Sequence, residues 1–336
     1  MRSIVCLQER VEKSRNKHQK NYFDVLVVVD IGCGDTKISI LFEKKENLLM
    51  EYNIVKAYQE NTQLRISFNK LAKETFDLSF ENWYSNSFWR KKYIPYSIVL
   101  NREVIANVSV SKMDFTIANE KRQYLQLGTI MTKPEYRKRG CIRILIDQIK
   151  NDYAHCKGIF LWANDSVRDF YPEFGSEECK EYRFQKNICG NEVTGIESVK
   201  MKNKGDWNNF LIEKSERESM GLIKMDTDDL LMFYLSQFMQ ENVYYIKSLD
   251  SYVIAKIEKD TLVLYDVYAN SFVDLNRVYQ SFGNQIRQVQ FAFTPNDTID
   301  LLKYKYKEEN STFFIMGEGI EKDMQRILSF PQIAHA

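Results

Sequence analysis

"IMTKPEYRKRGCIRIL", residues 130–145, joins three kinds of local order. Upstream, "YLQLGTIMT" (124–132) reads as a strand, closed by Lys133-Pro134, because proline cannot donate to a ladder. Downstream, "CIRILIDQIKN" (141–151) reads as a helix with Ile142, Leu145, Ile146 and Ile149 on its buried side. Between them stand three cations, Arg137, Lys138 and Arg139, and then Gly140. Strand, basic glycine turn and helix start together describe an anion site. Gly140 permits close approach of the backbone, the first N–H groups of the helix lack internal acceptors, and the helix dipole favours negative charge there. A desolvated charge-assisted hydrogen bond from such cations is worth about 1.5–3 kcal/mol. Taken alone, the heptapeptide also fits a solvated basic turn.

The flanking sequence supplies a fold around this turn. "YNIVKAY" (52–58) has the β-branched and aromatic residues of a strand. "ENTQLRISFNKLAKETF" (60–76) spaces Leu64, Phe68, Leu71 and Phe76 as a helix, with Asn61 as N-cap. An aromatic group follows: Phe80, Trp83, Tyr84, Phe88, Trp89 and Tyr93. "YSIVL" (96–100), the turn Asn101-Arg102 and "VIANVSVSKMDF" (104–115) read as a hairpin. "GIFLWA" (158–163) is a short buried strand, and "NDSVRDFYPEFGS" (164–176) a short helix and its exit. This order predicts an α/β fold, a mixed twisted sheet flanked by helices.

Composition narrows the function classes. Lys+Arg 47 against Asp+Glu 46 leaves a net charge of +1, without the basic excess of a nucleic-acid binder. Cys6, Cys33, Cys141, Cys156, Cys179 and Cys189 form no CxxC, and the histidines number 3, so no metal site is expected and free thiols fit a reducing cytoplasm. No apolar run reaches the roughly 18–20 residues of a membrane helix. The N-terminal residues MRSIVCLQERVEKSRNKHQK carry charges where a signal peptide has its apolar centre.

The segment Ile130–Ile142 resembles the acetyl-CoA loop of the Gcn5-related N-acetyltransferase (GNAT) superfamily, whose pattern is Gln/Arg-x-x-Gly-x-Gly/Ala. Arg137 and Gly140 match it, while Ile142 stands where Gly or Ala is usual. Arg137-Lys138-Arg139-Gly140-Cys141-Ile142-Arg143 is similar to the loops of tandem-GNAT acetyltransferases related to the mycobacterial "enhanced intracellular survival" protein. The resemblance implies that the backbone of residues 137–142, with Arg137, Lys138, Arg139, Gly140, Cys141 and Ile142, holds the CoA diphosphate. It also implies that Ile130, Met131 and Thr132 hydrogen-bond the pantetheine amides. Asn164 and Tyr171, with Phe174-Gly175, fall on a second family motif; Ser176 departs from its usual aromatic. Tyr171 is then the acid that protonates the departing thiolate, phenol and thiol being close enough in pKa. The fourth strand offers Gln126 and no carboxylate, so no base is assigned. The implied activity is transfer of acetyl from acetyl-CoA to a primary amine of a small molecule or peptide, with no metal, nucleic acid or membrane involved and homo-oligomerisation open. Trp83, Tyr84, Phe88 and Trp89 are a candidate acceptor wall or, equally, core packing. A non-catalytic acyl-CoA-binding regulator is the alternative function.

Residues 261–298 echo 124–166. "TLVLYDVYA", "FVDLNRVYQSF" and "VQFAFTPNDT" repeat strand, helix and strand without the basic loop, and "YYIKSLDSYVIAKIE" (244–258) precedes them as a hairpin. The expected organisation is residues 1–49 as an extension of unclear role, 50–195 as the catalytic domain and 196–336 as a degenerate GNAT-like domain. "DIGCGDTKISI" (30–40) reads as strand, glycine turn and helix start, the opening of a methyltransferase, but a methyltransferase needs further doubly wound sheet that does not follow. Residues 1–20 read as a charged helix or disordered arm, and Met50 as a possible natural start.

Overall fold

The computed structural model describes the backbone of residues 4–14, 20–31, 36–42, 50–188, 195–225 and 228–335, with side chains from residue 52 onward. It divides into two units. One comprises Met1–Ser79, Ile94–Ser109 and Thr129–Tyr153; the other comprises Phe80–Tyr93, Val110–Gly128 and Ala154–Ala336.

In the first unit the strands run in the order β1 (Ile4–Ser14), β2 (Lys20–Ile31), β3 (Thr36–Phe42), β4 (Met50–Lys56), β5 (Tyr93–Leu100), β6 (Glu103–Ile117) and β7 (Glu120–Thr132). The last three each give part of their length to the second unit. Asn101 and Arg102, with φ of 50° and 67°, make the tight turn between β5 and β6, the left-handed pair that a two-residue hairpin requires. Two expectations for the N-terminal region are corrected. Residues 36–42 form a strand paired antiparallel with β2, not a helix start, and β1 occupies most of the expected charged helix or arm. Thr36, Ile38 and Ile40 alternate with other residues, and β-branched side chains at period two favour a pleated strand over a helix. The turn residues 32–35 and the linker 43–49 lie outside the described residues.

Helix α1 (Thr62–Phe76) starts where Asn61 accepts a hydrogen bond from the Leu64 N–H at 3.2 Å, and it buries Leu64, Phe68 and Leu71. Phe76, expected on that face, is exposed at the helix end. Helix α3 (Cys141–Asp152) buries Cys141, Leu145, Ile146 and Ile149, leaving Ile142 half-buried. Its C-terminal end is tied down by Asp152. That carboxylate accepts from Lys56 Nζ (2.7 Å), the Tyr96 hydroxyl (2.8 Å) and Gln148 Nε2 (2.7 Å).

In the second unit β7 pairs in parallel with β8 (Ile159–Asn164), and the strand Ser311–Met316 pairs antiparallel along the other edge of β8. A second mixed sheet contains 251–258, 261–269 and 288–291. Within it Thr261–Leu264 run parallel to Gln288–Phe291, the same arrangement as β7 and β8. The repeat seen in the sequence is thus present as hairpin, strand, helix (Leu275–Gln280) and parallel strand. Sheet membership crosses chain order: Glu181–Asn187 joins the second sheet, while Ser311–Met316 joins β8.

The aromatic group after α1 is core. It includes the short helix α2 (Glu81–Ser85). Trp83, Phe88 and Trp89 are each under 5 % exposed. Trp83 stacks on Trp89 with centroids 5.8 Å apart and donates its indole N–H to the Asp229 carbonyl at 2.8 Å. Of the two readings offered for these rings, Trp83, Phe88 and Trp89 realise packing, while Tyr84 is half-buried.

Replacing Asp152 by alanine leaves the buried Tyr96 hydroxyl without its acceptor and costs about 1–3 kcal/mol in chemical denaturation at pH 7. Burial pushes the Asp152 carboxyl up, but the hydrogen bonds from Lys56, Tyr96 and Gln148 outweigh it, and the net pKa lies below 3.8. The stabilisation is therefore full above that ordinary value, and the gap between variant and parent closes as pH falls through the depressed pKa.

Candidate functional site

Residues 129–142 occupy the first unit. Thr129 has a φ of 47°, an uncommon conformation for a β-branched residue, and it breaks the regular course of β7. Its carbonyl accepts from the Asn107 side-chain amide at 2.8 Å. Beyond the break, Met131 is buried, and Ile130 and Thr132 are half-buried. The chain is then fastened by the Lys133 N–H on the Ile105 carbonyl (2.9 Å) and by an ion pair of Lys133 with Glu103.

The basic loop turns through two left-handed residues, Lys138 (φ 62°) and Gly140 (φ 80°), on either side of Arg139. Arg137 is exposed, and among the described residues it donates only its Nε, reaching the Thr132 carbonyl at 3.1 Å. Arg139 donates to the Glu135 carbonyl at 2.6 Å and lies over the Tyr136 ring, 5.1 Å from its centroid. Tyr136 meets Tyr52 edge-on at 6.3 Å. Burial pushes the Tyr52 phenol up, against the pull of the Arg139 guanidinium. Helix α3 then begins without a side-chain cap and with no acid in its first turn. Most helices satisfy their leading N–H groups with Ser, Thr, Asp or Asn; here no side chain among the described residues caps them, and Arg137, Lys138 and Arg139 come just before the helix. A Cβ built on Gly140 would meet no protein atom within 4 Å, so backbone is accessible there. Cys141 is buried, and burial raises its thiol to about 11, which makes it packing rather than a nucleophile.

Asn164 and Tyr171 belong to the second unit. Asn164, at the end of β8, accepts through Oδ1 from the Ser166 N–H (2.9 Å) and hydroxyl (2.6 Å), capping the stretch Asp165–Phe174. That stretch is a 3-10 segment closed by Gly175 rather than a regular helix; Pro172 lies within it. Tyr171 is 5 % exposed, with its ring against Phe170 and Phe314. Its hydroxyl has no hydrogen-bond partner among the described residues, and burial pushes its pKa to about 12. Gln126 is also buried on β7, and neither side-chain amide atom finds a partner among the described residues. Sequence reading did not single out Asn107 or Thr129. The signals were an amide inside the apolar run "VIANVSV" and the Gly128-Thr129 pair inside a strand.

Residues 58–175 match the model of the acetyltransferase (GNAT) family. A conserved Enterococcus faecalis protein described as a probable N-acyltransferase superposes with a TM-score of 0.51 at 14% identity, over 79% of this chain and 71% of that one. Eis1 from Mycobacterium abscessus gives a TM-score of 0.45 at 11% identity, over 82% and 75%. Among curated sequences, a 5'-3' exonuclease of Mycoplasmopsis pulmonis is 27% identical over 131 residues, 37% of this chain; the match spans 40% of that protein's length.

Substituting Gly140 by alanine introduces left-handed strain but no clash. We expect it to lower stability by about 1 kcal/mol in thermal or urea denaturation, and a loss several times larger would contradict the open backbone described for this position.

Proposed function

We propose that this protein is an N-acetyltransferase that moves the acetyl group of acetyl-CoA to a primary amine by direct attack. The reading rests chiefly on the uncapped, acid-free start of α3 behind the Arg137–Gly140 turn, inside the segment that matches the acetyltransferase family. The chemistry of this donor set suits a diphosphate: helix N–H groups with no side-chain cap, a positive helix end, and Arg137 using one of its five N–H donors among the described residues. In this reading Arg137, Lys138, Arg139, Gly140, Cys141 and Ile142 hold the diphosphate, chiefly through main chain. Ile130, Met131 and Thr132 hold the pantetheine arm, and Asn164 lies by the cofactor while capping its own segment.

The acceptor nitrogen attacks the thioester carbonyl, the carbon–sulfur bond breaks, and the sulfur leaves as a thiolate. Tyr171 gives its phenolic proton to that thiolate, and the proton lost by the amine passes to solvent. A phenol raised to about 12 by burial stays protonated through the physiological range, so its proton is present when the thiolate leaves. We read 50–195 as the catalytic domain and 196–336 as a GNAT-like half that does not bind CoA. In the second half, Asp274 caps the six-residue helix Leu275–Gln280 and accepts the Asn276 N–H at 2.9 Å, so an acid stands where the first copy has cations. The role of residues 1–49 stays open.

The test is isothermal titration with acetyl-CoA, followed by thiol release over a panel of amines. We expect binding that weakens with added salt, and turnover with at least one amine. Binding without thiol release from any amine would favour a regulator, and no binding would remove the proposal. Tyr171→Phe is expected to lower kcat by about 10²–10⁴-fold at unchanged acetyl-CoA affinity. Because the hydroxyl has no partner among the described residues, the same variant should keep the parent's melting temperature.

A further inference from the structure

In the first unit, four side chains form a buried polar chain that ends on the break in β7. The Tyr58 hydroxyl lies 2.6 Å from Ser97 Oγ, and Ser97 Oγ donates to Asn107 Oδ1 at 2.8 Å. Asn107 Nδ2 donates to both Ser109 Oγ (2.9 Å) and the Thr129 carbonyl (2.8 Å). Ser97, Asn107 and Ser109 are fully buried. The Thr129 carbonyl can only accept, so the NH2 of Asn107 must face it and its oxygen must face Ser97. Ser97 then gives its proton to Asn107 and takes one from Tyr58. Each bond in the chain is thereby fixed in direction, and consecutive hydrogen bonds of one polarity reinforce one another.

Its purpose can be read from where it ends. The parallel ladder of β7 with β8 is confined to Leu125–Gln126 against Ile159–Phe160, although both strands continue beyond it. Three residues past that ladder, Thr129 takes a left-handed conformation that costs energy for a β-branched side chain. Such a conformation persists only when its surroundings over-determine it, and the hydrogen bond from Asn107 to the carbonyl is one such determinant. Asn107 is itself on β6, so the break is set by a neighbouring strand rather than by a turn of its own. The residues aimed by the break are Ile130, Met131 and Thr132.

We propose that Asn107, held by Ser97 and Tyr58, is a positioning residue that fixes the break at Thr129 and so sets the direction of the Ile130–Thr132 main chain toward the pantetheine arm of the donor. This deepens the acetyltransferase reading and rests on it. The basic loop 137–142 has supports outside that segment, Arg139 being held at the Glu135 carbonyl and over the Tyr136 ring, and it holds a different part of the same ligand. The two parts can therefore be separated by experiment.

The full chain is titrated with CoA and with 3'-phospho-ADP, which keeps the diphosphate and lacks the pantetheine arm. Losing one such hydrogen bond changes an equilibrium by about two- to tenfold. Asn107→Leu, which loses several, is expected to weaken CoA by about tenfold or more while 3'-phospho-ADP changes by less than about twofold. Tyr58→Phe, at the far end of the chain, should move CoA in the same direction by about two- to threefold and also leave 3'-phospho-ADP alone. That gentler variant carries the same comparison if Asn107→Leu does not fold. A general loss of structure would weaken both ligands together. Equal weakening of the two, or no change in either, overturns the inference while leaving the acetyltransferase reading in place. A parent protein that binds neither ligand overturns the donor assignment, and this inference with it.

Discussion

A strand that leaves its ladder carries main-chain carbonyls and N–H groups into the interior, and each needs a new partner or incurs the desolvation cost of a buried polar group. At Thr129 that need is met by one side-chain amide on the adjacent strand. Farther along the chain other groups take over: the Lys133 N–H reaches Ile105, Arg137 reaches back to Thr132, Arg139 is held at Glu135 and Tyr136, and the left-handed turn at Lys138 and Gly140 delivers the chain to the start of α3. The far end of α3 is held by Asp152 against β4 and β5. Helix α3 is therefore fixed at both termini, by polar groups that hydrophobic patterning does not report.

Electrostatics separates the two copies of the strand–helix–strand motif more sharply than their backbones do. The first has Arg137, Lys138 and Arg139 ahead of an uncapped helix of twelve residues with no acid in its first turn. The second has Asp274 as its own cap on a helix of six. A carboxylate in that place satisfies the leading N–H groups and repels a phosphate. In the second run Thr261–Leu264 and Gln288–Phe291 pair in parallel, as β7 and β8 do in the first.

Much of the fold was legible because short-range rules dominate it. The cap at Asn61, the Asn101-Arg102 turn and the buried face of α3 at Leu145, Ile146 and Ile149 are all local consequences of residue type. Where the reading failed, two rules competed. At residues 30–40 a glycine turn suggested a helix start, but the β-branched alternation of 36–42 made a strand. At Trp83, Phe88 and Trp89 the residue types suited either a cation-binding wall or a core, and burial among Phe80, Tyr93 and Phe233 chose the core.

By itself the sequence determined the alternation of strands and helices, the basic turn between β7 and α3, and the loss of that turn in the second copy. These follow from spacing and charge over a few residues, which tertiary contacts do not rewrite. Only the tertiary structure decided which strands share a sheet, with Glu181–Asn187 and Ser311–Met316 each joining partners distant in the chain. It alone brought Tyr58, Ser97, Asn107 and Thr129 into one hydrogen-bonded line, and left Tyr171 buried with a hydroxyl that has no partner among the described residues. The physical reason is that a hydrogen bond between residues 22 or 39 positions apart has no local signature. It exists only where the packing of the strands puts donor against acceptor.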